Sequence, residues 1–140
     1  MKSGSEKDVQ RGVQELLDKL APGRFRCVER KSSGESVIGK PVDLEIRRAG
    51  DTLRALLAIE VANVNTTQLV SETCRLYYDS CPLKLLILGD RNVPQNGVEM
   101  CSRLLARLYG QEKIENTPAR VVSYDDDASL ERALRELLLL

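Results

Sequence analysis

Apolar residues recur at helical spacing at Val9, Val13, Leu16, Leu17 and Leu20, which predicts an amphipathic first helix. Ser3 and Ser5 stand ready to cap it, and Ser3-x-x-Glu6 has capping-box spacing. Ala21-Pro22-Gly23 ends it. Phe25 to Glu29 then alternates and reads as a strand, with Phe25 and Cys27 on one side and Arg26 and Val28 on the other. Lys31 to Gly39 is rich in Ser and Gly and reads as a loop.

Pro41 opens the next strand, a position where no backbone donor is needed. Val42, Leu44 and Ile46 are expected on one face, and Asp43, Glu45 and Arg47 on the other. Ala49-Gly50-Asp51 is a hairpin turn. Leu53 to Ala62 is apolar on both faces, as a central strand covered on both sides would be. Asn65 or Thr66 caps a second helix over Gln68 to Asp79, with Leu69, Val70, Thr73, Leu76 and Tyr77 as its inner stripe. Leu83 to Leu88 is a buried strand. Val98 to Tyr109 is a third helix, facing inward with Val98, Cys101, Leu104, Leu105 and Leu108 and stopped by Gly110. Ala119 to Tyr124 is a fifth strand. Asp125 to Asp127 open a last helix whose inner face is Leu130, Leu134, Leu137 and Leu138.

The element order is αβββαβαβα in a single domain. The first strands, joined by short connections, pair antiparallel, and the later ones join by right-handed crossovers. This predicts an α/β sandwich, a mixed central sheet with helices on both sides.

At 140 residues, 42% hydrophobic and 30% charged, the chain has the make-up of an ordinary globular domain. Lysines plus arginines number 21, as do the acids, so any nucleic-acid affinity must come from a local patch. The absence of histidine excludes Ser-His-Asp and Cys-His catalysis. A zinc site would need all four cysteines, Cys27, Cys74, Cys81 and Cys101, and their spacing favours buried free thiols instead. No apolar run is long enough to span a bilayer and MKSGSEKDVQRG lacks a signal-peptide core, which predicts a cytoplasmic protein.

The chemistry concentrates between Lys40 and Asn63. A carboxylate at the end of a buried strand is costly unless something pairs with it, so Glu60 needs a partner. Taken singly, Asp43 and Glu60 are each as well explained by loop amides. Together they point to a shared metal site.

This element order, with Asp43 after a proline-led strand start and Glu60 closing the next strand, resembles the PD-(D/E)XK nuclease superfamily. That is the restriction-endonuclease-like three-layer fold, which includes archaeal Holliday-junction resolvases. The likeness covers the topology from about Ser5 to Leu88. It implies a DNA endonuclease in which Asp43, Glu60 and the Val61 carbonyl hold Mg²⁺ or Mn²⁺ for in-line hydrolysis. Many members add a first-helix glutamate. Glu6 and Glu15 are the choices, and Arg11-Gly12-x-x-Glu15 favours Glu15. Two departures stand out. Pro41-Val42-Asp43 carries one inserted residue, and Ala62 replaces the family's lysine. Lys40 and Arg75 are the candidate substitutes, with Lys40 taken into the catalytic set. The alternative is a nuclease-fold protein without catalysis that binds nucleic acid or a protein partner.

Arg24, Arg26, Arg30 and Lys31 before the Ser/Gly loop, with Arg47 and Arg48 after it, form a candidate phosphate-binding set. A solvated charged face is the competing reading, because Glu29, Glu35 and Glu45 are interleaved. The terminal leucines read first as core packing, and an exposed remnant is a candidate homodimer contact, as is usual for enzymes that cut both strands of a duplex.

Overall fold

The computed structural model describes residues 1–30 and 42–140. Among them, α1 (Glu6–Leu20), β1 (Phe25–Glu29), β2 (Leu44–Arg48), β3 (Ala55–Ala62) and α2 (Thr66–Tyr77) are followed by β4 (Leu83–Leu88), α3 (Gly97–Leu108), β5 (Ala119–Ser123) and α4 (Asp127–Leu138). A short 3-10 turn at Ile114–Asn116 precedes β5. The expected loop from Lys31 to Gly39, and Lys40 and Pro41 beside it, lie outside the described residues.

The strands form one open sheet in the order β1-β2-β3-β4-β5. β1–β2 and β2–β3 are antiparallel, while β3–β4 and β4–β5 are parallel. The parallel pairs are joined through α2 and α3, which cover the same face, as successive crossovers of one hand require. The opposite face is covered by α1 and α4. The molecule is therefore a three-layer α/β fold with a mixed five-stranded sheet.

Alternation along the strands divides the core in two. Leu44, Ile46, Leu57, Ile59, Leu85 and Ile87 meet Val9, Val13 and Leu17 of α1 and the leucines of α4. Ala58, Ala62, Leu86 and Leu88 meet Leu69 and Leu76 of α2 and Cys101 and Leu105 of α3. Each fully buried leucine or isoleucine in these layers stabilises by about 1.5–3 kcal/mol relative to exposure. Val42 joins the α2 side rather than Leu44 and Ile46, because the chain enters the strand only at Leu44. Gly97 lets the first turn of α3 press on the sheet: a Cβ there would stand 2.8 Å from Leu88 Cδ1.

Several boundaries differ from those predicted by pattern. β3 starts at Ala55, not Leu53, because Asp51 Oδ1 accepts hydrogen bonds from the N–H groups of Leu53 and Arg54 at 2.9 and 3.1 Å. That side-chain turn, with Gly50 at φ +84°, leaves Leu53 94% exposed. The pairing then slips between Ile46 and Arg47, so Leu56 is the extra residue of a β-bulge. Ser5 rather than Ser3 caps α1, accepting from the Asp8 N–H. Val70 of α2 and Val98 of α3 are exposed, so the inner faces there are narrower than the sequence suggests. In α4, Leu130, Leu134 and Leu137 are buried, and Leu139 lies outside the helix, exposed.

β1 is an edge strand, and α1 covers its free edge. Cys27 N–H donates to Gln14 Oε1 at 2.8 Å, while Gln14 Nε2 donates to the Phe25 carbonyl and Gln10 Nε2 to the Cys27 carbonyl, both at 3.2 Å. The Gln14 amide thus takes the place of a neighbouring strand and closes an edge open to pairing with another chain. Gln14→Ala is expected to cost about 1 kcal/mol and to speed hydrogen exchange at the Cys27 amide. Unchanged exchange at that amide would contradict this role.

Candidate metal centre

The β2–β3 register pairs Leu44 with Ile59. One step further along the antiparallel pair, Asp43 stands beside Glu60. Ile59 points into the α1–α4 layer, so alternation turns Glu60 toward α2, and Asp43, just before β2, sits beside it. Their side chains are within hydrogen-bonding reach of one another. Asp43 Oδ2 also accepts from the Val61 N–H at 2.8 Å, which fixes its orientation. Arg75 reaches down from α2 and places Nη2 2.7 Å from Glu60 Oε1.

Glu60 is 2% exposed, and its second oxygen, Oε2, is buried without a hydrogen-bond donor. Burial, together with the neighbouring Asp43 charge, pushes its pKa up to about 9, and the Arg75 guanidinium only partly offsets this. Near neutral pH the pair therefore retains a proton. Two facing carboxyls with an oxygen that lacks a donor call for a proton or a cation between them. The donor set is all oxygen, which fits Mg²⁺ or Mn²⁺, ions commonly held by one or two carboxylates plus water.

The third acid does not come to this place. Glu15 is exposed on α1, and α1 packs on the opposite face of the sheet. Glu6 is exposed on the same helix. Among the described residues no group of three or more His, Cys, Asp or Glu side chains is arranged to hold a metal. The described structure thus brings together Asp43 and Glu60, with the Val61 amide as a support that sequence reasoning did not supply. Ala62 is fully buried against the α2–α3 layer, where a longer side chain would have no room without repacking. Lys40 lies outside the described residues.

The six cations of the candidate phosphate set divide. Lys31 lies outside the described residues. Arg24, Arg26 and Arg48 are exposed, and Arg24 also stacks on the Phe25 ring at 5.3 Å. Arg30 is turned inward: it binds Glu45 Oε1 at 3.2 Å, Asp79, and Cys81 Sγ at 3.4 Å. Arg47 lies 2.5 Å from Glu45 Oε2 and also donates to the Thr52 carbonyl. A groove of about 430 Å³ is lined by Arg26, Arg47 and Arg48 but also by Glu29, Glu45 and Asp51, so its charges are balanced.

Two buried charges went unpredicted. Glu45 is the hub of the Arg30–Arg47 network. Lys84, inside the LKLLIL strand, is buried and donates to the Tyr77 carbonyl at 2.6 Å, at the C-terminal end of α2. Burial lowers its pKa. A charge in the middle of an apolar strand was the signal available for it. The four cysteines are free thiols, three of them buried.

No helix among the described residues is long and apolar enough to cross a membrane. In comparisons with known proteins, no family model and no curated protein matches the chain.

Proposed function

We propose that this chain is a PD-(D/E)XK-like nuclease domain, an endonuclease that hydrolyses DNA phosphodiesters with Mg²⁺ or Mn²⁺. The observation that carries the reading is the Asp43–Glu60 pair: one carboxyl just before β2 and one on the adjacent antiparallel β3, within reach of each other, with a buried oxygen lacking a donor. The antiparallel β1–β2–β3 unit followed by parallel β4 behind α2 supports it as the setting. Asp43 and Glu60 would hold the metal, which supplies Lewis acidity and an activated water when bound. The Val61 amide holds Asp43 in place, and Arg26 and Arg48 are exposed cations at the end of the β1–β2 pair opposite to Asp43.

The wild-type chain is expected to nick linear or branched DNA in Mg²⁺ or Mn²⁺. Asp43→Ala and Glu60→Ala are each expected to lose at least about 100-fold in rate. Equal activity in wild type and both variants would end this reading.

A second reading rests on Ala62 and on the Arg75–Glu60 ion pair. A guanidinium already neutralising the acid suits a nuclease-fold protein that binds nucleic acid without cutting it. Salt-sensitive DNA binding with no cleavage in either metal would select it.

A further inference from the structure

Arg75 and Arg30 both reach buried carboxylates on this face, as Arg47 also does, and these two are held very differently. Arg30 has all three of its nitrogens engaged, by Glu45, Asp79 and Cys81. Such a guanidinium is a permanent strut. Arg75 makes a single contact with Glu60, through Nη2 at 2.7 Å. Its Nε is buried without an acceptor, while Glu60 Oε2 is buried without a donor. A settled Arg–carboxylate pair is usually a two-bond fork, which satisfies both groups at once. Here the fork is not made, and each partner keeps one unsatisfied atom. The Arg75 side chain is also 21% exposed, so it has a way out toward solvent.

We propose that Arg75 is an exchangeable counter-ion, which balances the charge left on the Asp43–Glu60 pair until a divalent cation takes its place there. This rests on the reading of Asp43 and Glu60 as a metal centre. A divalent cation at Oε2 and the Arg75 guanidinium at Oε1 would stand against one buried carboxylate and repel each other strongly. Entry of the metal therefore competes with the Arg75 contact. The displaced guanidinium keeps its donors beside the site, on the same helix, where a substrate phosphate would accept them. Arg75 is on this account a positioning residue that makes the acid pair tolerable in its metal-free state and sets how tightly it takes a metal.

The test is Mn²⁺ affinity, read by electron paramagnetic resonance of free Mn²⁺, for wild type, Arg75→Ala, Arg75→Gln and Arg75→Lys. Asp43→Asn serves as the site control, and circular dichroism checks that each variant is folded. Arg75→Ala and Arg75→Gln are expected to bind Mn²⁺ at least about tenfold more tightly than wild type, and Arg75→Lys close to wild type. Asp43→Asn is expected to bind weakly or not at all. Wild-type binding with unchanged or weaker binding in both neutral variants would overturn the proposal and leave the metal centre standing. Loss of folding in both neutral variants would assign Arg75 to structure and also overturn it. No Mn²⁺ binding by any folded variant would instead overturn the metal centre, and the proposal with it.

Discussion

Glu60→Gln is expected to stabilise the protein at pH 8 by on the order of 2–4 kcal/mol and to change it by less than about 1 kcal/mol at pH 5. The folded-state pKa of Glu60 is raised from an ordinary 4.5 to about 9. The native state therefore holds this proton more tightly than the unfolded chain does. The stability associated with the protonated form is complete below about pH 4.5, falls as pH rises through the window, and is lost above about 9. One proton of difference is worth about 1.4 kcal/mol per pH unit, which sets the ceiling. Attraction to Arg75 lowers the total. Glutamine keeps the shape of the protonated acid and carries no charge at any pH. Urea unfolding of both proteins at pH 5 and pH 8 measures the difference. Parallel stabilities at the two pH values would show that Glu60 is ionised in the native state without penalty.

Arg30→Ala is expected to cost about 3–5 kcal/mol, the largest loss of any single arginine. Its removal strands Glu45, which is 3% exposed, and Asp79 at the end of α2. Arg47 still reaches Glu45, whereas among the described residues Asp79 keeps only the Cys81 N–H, at 2.9 Å. Arg26→Ala and Arg48→Ala, both at exposed positions, are expected to stay within about 0.5 kcal/mol of wild type. Thermal or urea unfolding separates the two classes. The contrast matters for any DNA-binding assay: loss of binding in Arg30→Ala would report a damaged fold, whereas loss in Arg26→Ala would report a lost phosphate contact. Wild-type stability in Arg30→Ala would contradict the assignment of this residue to a buried network.

The architecture was legible because period and punctuation agreed. The spacing of Val9, Val13 and Leu17 gave the buried stripe of α1, and LKLLIL gave β4 within its observed bounds. Asp43 and Glu60 were legible as partners because the antiparallel pairing of β2 with β3 brings them side by side. Detail was lost where a side chain overrode the backbone pattern. Asp51 holds the hairpin turn open to Arg54, so Leu53 is not in the strand its apolar character suggested. Arg30 and Arg47 looked like free cations because sequence does not reveal that Glu45 and Asp79 meet them across the sheet and α2. Glu15 looked plausible on spacing alone, and only the placement of α1 on the far face separates it from the acid pair.

Calorimetric titration of Mg²⁺ and Mn²⁺ into the wild-type chain and into Asp43→Asn addresses the acid pair most directly. Binding to one site in the wild type, with proton release from Glu60, and its loss in Asp43→Asn is the predicted result. Absence of binding in the wild type, or equal binding in the folded variant, would contradict a metal centre at Asp43 and Glu60.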